Sequence, residues 1–319
     1  MKAIVRDTYG PPDRLRLADI DQPAVGDDDV LVQVVAAGLD QGVWHHVTGV
    51  PYLARLAMGV RRPRVRVPGQ DVAGRVAAVG RDVTRFQPGD EVYGTCEGAF
   101  AEYAGTHQNR LVAKPAALTF EQAAAIPTSA CTAFQALATV RAGQRVLVIG
   151  AGGGVGTFAV QLAKVSDAHV TGVCSTAKTA LVRSIGADEV IDHTRDDFAA
   201  AGHRYDLIVD TGGNRRLSLL RRCLTPRGTL VVVGGENGGR WLTGTDRQLR
   251  MLLLDRFVGQ KLHPLFTTIR QADLPALTEL AEAGRLTPAI DRTYPLAQAA
   301  EAIGYLREGR AAGKVVITV

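Results

Sequence analysis

The chain has 319 residues, 46% of them hydrophobic and 22% charged, which suits two packed domains and excludes a disordered, collagen-like or disulfide-scaffold protein. Its formal charge of +5 rests on 31 Arg and 6 Lys, scattered apart from one run, Arg55 followed by Arg61, Arg62, Arg64 and Arg66. No aromatic residue interleaves that run, so no nucleic-acid partner is expected; a solvated loop and the rim of a site for anionic ligands are both open readings.

Met1 to Asp7 carries no long apolar signal segment, and a cytoplasmic location is expected. Two uncharged stretches, 122–140 and 146–163, have the length of membrane spans. Pro127 interrupts the first and five glycines interrupt the second, so neither is expected to cross a bilayer and no membrane partner is expected. Cys96, Cys131, Cys174 and Cys223 lie far apart without a C-x-x-C pair. That spacing predicts buried free thiols, not a thiolate metal site.

From Val30 to Val112 short β-rich runs (30–35, 72–76, 90–93) alternate with Gly/Pro punctuation such as Pro88-Gly89, the pattern of a small β-barrel or rolled sheet. After Glu121 the rhythm changes. Apolar runs at 145–150, 169–173, 189–192, 205–210 and 228–234 alternate with helical segments, which predicts parallel βαβ units in a doubly wound sheet. Beyond residue 264 come two amphipathic helices, 274–283 and 298–307, and a closing strand, 314–319. That strand needs a partner sheet, and the β-rich candidate is the N-terminal half. The expected architecture is α/β: a discontinuous β-rich domain, 1–123 with 265–319, and a parallel-sheet domain, 124–264, inserted into it.

Directly after the run Arg145–Ile149 stands Gly150-Ala151-Gly152-Gly153-Gly154-Val155-Gly156, followed by the helical Thr157–Lys164. A missing Cβ lets backbone approach a pyrophosphate, and the first N–H groups of the helix favour its negative charge. Ala151, Gly153, Gly154, Val155 and Gly156 are therefore predicted to bind a dinucleotide. Sites that prefer NAD end the second strand in an acid that accepts from the ribose 2′-OH. Here that strand ends in Cys174, followed by Ser175, Thr176 and Lys178. Two hydroxyls and an ammonium can donate to a 2′-phosphate, so the expected cofactor is NADPH; a capping role for Ser175 is compatible with this.

Five ordered blocks then resemble a known family: Pro68–Gly74, Phe86–Val92, Gly98–Tyr103, Ile126–Thr128 and Gly150–Gly156. Together they are similar to the medium-chain dehydrogenase/reductases, in the zinc-independent, quinone oxidoreductase-like branch. The resemblance implies a GroES-like β-rich catalytic domain with an inserted Rossmann domain, an active site in the cleft between them and a homodimer. Zinc-dependent relatives carry a Cys after the first long strand, a Gly-His-Glu motif and a four-cysteine lobe. Gly38-Leu39-Asp40 and Gly69-Gln70-Asp71 replace the first two and no cysteine cluster exists, so no metal is expected.

Without a Lewis acid, quinones and conjugated enones are the easier hydride acceptors, because the charge they gain is delocalised. The expected partner is a small electrophilic substrate. Asp40 stands where this branch often carries Asn; it would hold a ribose hydroxyl, orient His45, or serve as an exposed turn residue. Trp44 and Tyr52 would line the substrate site or pack in the core, and one of the pair His45 and His46, His45 in a relay with Asp40, would be a proton donor. The resemblance places Thr128 near the nicotinamide amide, Gly234 and Gly235 at a ligand-facing strand end, Lys314 within reach of the cofactor and His193 beside the adenosine phosphate. Two other readings stay open: a metal-free alcohol or aldehyde dehydrogenase using an Asp40–His45 relay, and a non-catalytic NADPH-binding protein whose partner surface is Arg61–Arg66.

Overall fold

The computed structural model describes residues 1–200, 202–234, 239–242, 245–266, 269–270 and 272–319. The chain divides into two compact units, Met1–Cys131 with Ile269–Val319, and Thr132–Thr268.

The first unit begins with β1 (Lys2–Val5) and β2 (Arg16–Asp19), a two-stranded antiparallel ribbon. Then come β3 (Asp29–Leu39), α1 (Gln41–Thr48), α2 (Arg55–Met58), β4 (Asp71–Val79), β5 (Glu91–Thr95), β6 (Tyr103–His107), β7 (Leu111–Ala113), α3 (Phe120–Ala124) and α4 (Pro127–Ala136). The strand anticipated at 30–35 runs on to Leu39, because Ala36, Ala37 and Gly38 are small enough to keep pairing with β4 while α3 packs on the same strands. A Cβ at Gly38 would stand 2.9 Å from that of Asp71. Val32, Val34, Leu39, Val72, Val76, Phe100 and Ile317 share one apolar core.

The second unit carries β8 (Arg145–Ile149), α5 (Gly154–Val165), β9 (His169–Cys174), α6 (Thr179–Ser184), β10 (Glu189–Asp192), β11 (Tyr205–Asp210), α7 (Leu217–Arg222), β12 (Leu224–Val232), α8 (Gly239–Leu242), α9 (Thr245–Asp255) and β13 (Lys261–Pro264). Its six strands are parallel in the order β10-β9-β8-β11-β12-β13, so the direction of winding reverses between β8 and β11. Ligands bind such sheets outside the carboxyl ends of the strands at that reversal. Only five of these strands are legible as apolar runs. β13 is an edge strand of four residues with alternating exposure and a terminal proline, and an edge tolerates both lysine and proline.

The chain returns to the first unit with α10 (Asp273–Glu282), β14 (Ile290–Pro295), α11 (Ala299–Arg307) and β15 (Lys314–Thr318). β15 finds the anticipated partner in the N-terminal half, pairing antiparallel with β3 from Val315↔Leu39 to Thr318↔Ala36. This completes a sheet in the order β14-β15-β3-β4-β5-β7, with β6 also on β3.

Candidate functional site

In the second unit the chain turns sharply at Gly150 (φ 82°), a left-handed conformation that favours glycine. The N–H groups of Gly150 and Ala151 both donate to the Val173 carbonyl at 3.0 Å, which ties the turn to β9. Gly153 is the N-cap of α5 and offers no side-chain cap, so the first N–H groups of the helix are left to an anion. A Cβ at Gly156 would collide with the Gly150 carbonyl oxygen and stand 2.8 Å from the Ala151 Cα. That residue fixes how closely helix and turn approach. These features fit a dinucleotide pyrophosphate.

Lys178 is brought onto this turn: a Cβ on Gly152 would lie 2.7 Å from the Lys178 Cβ. Ser175 precedes a single helical turn over Thr176–Lys178 and makes no capping hydrogen bond, so capping does not engage its hydroxyl. The backbone N–H of His193 donates to the Cys174 carbonyl (3.0 Å), which sets this exposed residue beside the tip of β9. The adjacent strand supplies an acid that sequence reasoning missed. Asp192 is in register with Cys174, and its Oδ2 accepts from the Thr176 hydroxyl at 2.5 Å. The signal for it was the acidic end of the run Glu189–Asp192, one strand further along than the place searched.

Gly234 follows β12, and its neighbour Val233 donates to the Asp210 carbonyl; Gly235 lies outside the described residues. Asp210, at the carboxyl end of β11, is fully buried and accepts from the Gly213 N–H (3.0 Å) and from Arg247 Nη2 (2.8 Å).

The first unit holds a second cluster. Asp71 opens β4 with no exposed surface; it accepts from the Thr128 N–H (3.1 and 3.2 Å to its two oxygens) and from the Thr128 hydroxyl (2.5 Å). Lys314, expected to reach the cofactor, is 1% exposed; its Nζ donates to Ser129 Oγ at 3.0 Å and stands 3.8 Å from Asp71 Oδ2. The structure therefore gives Lys314 two internal partners, Ser129 and Asp71. Burial pushes the Asp71 carboxyl up to about 7, against the pull of Lys314. The Thr128 hydroxyl has given its hydrogen to Asp71, so towards a ligand its oxygen is an acceptor. Asp71 and Ser129 were not among the anticipated site residues. A carboxylate in the otherwise apolar Asp71-Val72-Ala73 was the available signal, since a buried charge needs a partner.

Asp40 is the N-cap of α1: its Oδ1 accepts from the N–H groups of Gly42 (2.6 Å) and Val43 (3.3 Å). Its Oδ2 is buried without a partner, an acceptor suited to a ligand hydroxyl. His45 does not present Nδ1 to Asp40, because that nitrogen lies 2.7 Å from the Val50 carbonyl. A carbonyl only accepts, so Nδ1 carries the hydrogen and Nε2 is the nitrogen that can exchange a proton. No observation therefore favours the Asp40–His45 relay. Trp44 packs against the core of the unit with the Arg307 guanidinium 4.2 Å above its ring. Tyr52 and Tyr9 sandwich Arg55, each ring centroid 4.5 Å from the guanidinium carbon. Each of the two anticipated aromatics thus has an arginine against its ring. Within the basic run, Arg66 pairs with Asp7 at 2.6 Å, and Arg55 also donates to the Gly49 carbonyl at 2.8 Å.

All four cysteines are free and buried, and burial pushes their thiols up. Among the described residues no group of three or more His, Cys, Asp or Glu is placed to hold a metal ion, and none of the described helices is long and apolar enough to cross a membrane. Where zinc-dependent relatives carry the Cys and the His of Gly-His-Glu, this chain has Asp40, which caps α1, and Gln70, whose Nε2 lies 3.3 Å from His46 Nδ1, a pair poorer in zinc-binding donors than Cys and His.

Residues 26–116 match the alcohol dehydrogenase GroES-like domain family, and residues 185–317 match the zinc-binding dehydrogenase family. The chain is 30% identical to quinone-oxidoreductase QR1, chloroplastic, of Triphysaria versicolor, over 99% of this chain and 98% of the relative. It is 31% identical to the NADPH-dependent alkenal/one oxidoreductase, chloroplastic, of Arabidopsis thaliana, over 99% of this chain and 79% of the relative. Among solved structures, the quinone oxidoreductase from Coxiella burnetii superposes with a TM-score of 0.85 at 28% identity, covering 100% of this chain and 99% of that one.

Proposed function

The chain belongs to the medium-chain dehydrogenase/reductase family, in its quinone oxidoreductase-like branch, and from that premise we propose that it reduces quinones and α,β-unsaturated carbonyls with NADPH and without a metal ion. It is an NAD(P)H-dependent oxidoreductase. The observation that carries the metal-free reading is the identity and use of the residues in the zinc-ligand positions: Asp40, in place of the Cys, caps α1, and Gln70, in place of the His, lies against His46.

When bound, the dihydronicotinamide supplies the hydride. The α5 N-terminus and the Gly150–Gly156 turn hold the pyrophosphate, while Ser175 and Lys178 donate to the 2′-phosphate, with His193 beside it. Thr128, oriented by Asp71, accepts from the carboxamide, and Asp40 Oδ2 accepts a hydroxyl. A quinone or enone acceptor develops a delocalised phenolate or enolate, so orientation replaces Lewis-acid assistance. The product oxyanion takes its proton from His45 through Nε2 or from solvent.

The active form is proposed to be a homodimer. Among the described residues β13 ends the sheet with β12 as its one strand neighbour, and exposed Phe257 and Phe266 flank it, an arrangement that favours pairing with a second copy. Four free thiols fit a reducing, cytoplasmic setting. The test is oxidation of NADPH, followed by its absorbance, with a simple quinone, an enone and an alcohol–aldehyde pair, in the presence of a chelator and with NADH in parallel. Chelator-resistant turnover of the quinone or enone is expected. Turnover confined to the alcohol pair, or abolished by the chelator, overturns the reading.

A further inference from the structure

The tip of β9 is where this fold meets the adenosine ribose of a dinucleotide, and an acid there selects the 2′-hydroxyl. No acid lies on β9 itself, yet one is delivered from the side. Asp192 closes β10 in register with Cys174, the last residue of β9. Its Oδ1 accepts from the N–H (3.0 Å) and the hydroxyl (2.8 Å) of Thr194, and its Oδ2 accepts from the Thr176 hydroxyl (2.5 Å). Arg195 Nε stands 3.7 Å from Oδ2. This network keeps the carboxyl ionised, with the Thr176 hydrogen bond as the largest influence.

Two consequences follow for a 2′-substituent. A hydroxyl has one hydrogen, and that of Thr176 is given to Asp192, so Thr176 turns only lone pairs towards a phosphate. A carboxylate accepts about four hydrogen bonds, and three are filled here. Oδ2 therefore keeps a lone pair for the 2′-hydroxyl of an unphosphorylated ribose. The opposing charge comes from Lys178, whose stem lies on Gly152, and from Arg195.

We propose that Asp192 is the residue that sets cofactor preference: its carboxylate opposes the 2′-phosphate that Ser175 and Lys178 attract, so the enzyme favours NADPH by a narrow margin and also uses NADH. The proposal rests on the dinucleotide reading above. Ser175 and Lys178 supply the attraction, and Asp192 sets how far it prevails.

Fluorescence titration of the full chain with NADPH and with NADH tests it. For the unaltered protein the two dissociation constants are expected to agree within about tenfold, the scale of one partly screened charge near a phosphate. Asp192→Asn keeps the acceptor for Thr194 and removes the charge; it is expected to tighten NADPH relative to NADH by about tenfold. Thr194→Val removes the hydroxyl's contacts with Asp192 and Thr176 and leaves the charge, so the ratio should stay within about twofold. A purely structural turn at Asp192 would instead weaken both nucleotides alike in both variants, which overturns the proposal. So does a wild-type preference for NADPH above about a thousandfold, whether or not the variants fold. Wild-type protein that binds neither nucleotide overturns the dinucleotide reading itself, and with it the proposal.

Discussion

Asp71 opens a strand in the first unit and Asp192 closes one in the second, and their surroundings drive the two carboxyls in opposite directions. Asp71 has no exposed surface, and burial pushes its carboxyl up to about 7 even beside Lys314. Asp192 is half-buried, and its hydrogen bonds, led by the one from Thr176, hold it down to about 2. The difference extends to the sites around them. The first unit orients the Thr128 hydroxyl with a buried carboxyl beside a buried ammonium; the second shapes its glycine turn with backbone N–H groups and absent Cβ atoms. Buried charge gives fixed geometry only while its partner is present, whereas a backbone cradle depends on steric room.

The largest expected effect breaks the first of these. Lys314→Met leaves the Asp71 carboxyl buried without a counter-charge and should destabilise the fold by roughly 3–5 kcal/mol, read as a lower midpoint in urea unfolding. Adding Asp71→Asn to it should restore most of that loss. A single variant as stable as the parent would mean that the pair does not hold the first unit together.

Gly156→Ala challenges the second. The new methyl meets the Gly150 carbonyl and the Ala151 backbone, a backbone clash expected to cost about 1–3 kcal/mol and to abolish nucleotide binding, as titration would reveal. Amides of the first unit should keep their hydrogen-exchange protection.

Asp40 separates capping from ligand binding within one side chain. Asp40→Ala should cost about 1 kcal/mol through loss of the α1 cap. Asp40→Asn keeps an acceptor for the Gly42 N–H, so its melting temperature should stay close to the parent's while KM for the cofactor or the substrate rises. Equal effects of the two variants on KM and on melting would confine Asp40 to the cap.

In pH dependence the two carboxyls carry opposite signs. Folded Asp71 binds its proton more tightly than the unfolded chain does, so this group makes stability fall as pH rises from about 4 through about 7. Folded Asp192 binds its proton less tightly. Its contribution is present above about 4 and is lost as pH falls towards about 2. Unfolding free energies measured across this range should lose their downward slope between about 4 and 7 in Asp71→Asn, whereas Asp192→Asn should flatten only the acid limb.

Local patterning was enough for the glycine-rich turn, because strand, glycine string and helix are contiguous from Arg145 to Lys164. It was also enough for the closing strand, whose apolar run had to find a sheet. Side-chain duties were less legible. Trp44 and Tyr52 were expected to line a substrate site or to pack in the core; an arginine stacks on each ring, and such a contact leaves no periodic trace in the sequence. The sixth parallel strand escaped because an edge position relaxes the apolar pattern.

What the sequence by itself determined is the order of elements and the presence of a glycine-rich turn between strand and helix, since both follow from backbone propensity and spacing along a continuous segment. Only the tertiary structure decided the partners of the charged groups. Lys314 lies 243 positions beyond Asp71 in the chain, and Asp192 lies 16 beyond Thr176, yet each pair meets through strand register. β15 beside β3 and β10 beside β9 bring together carboxylates, an ammonium and hydroxyls from distant segments. Their ionisation and hydrogen bonds, and through them the ligand each site can accept, depend on that adjacency and on burial.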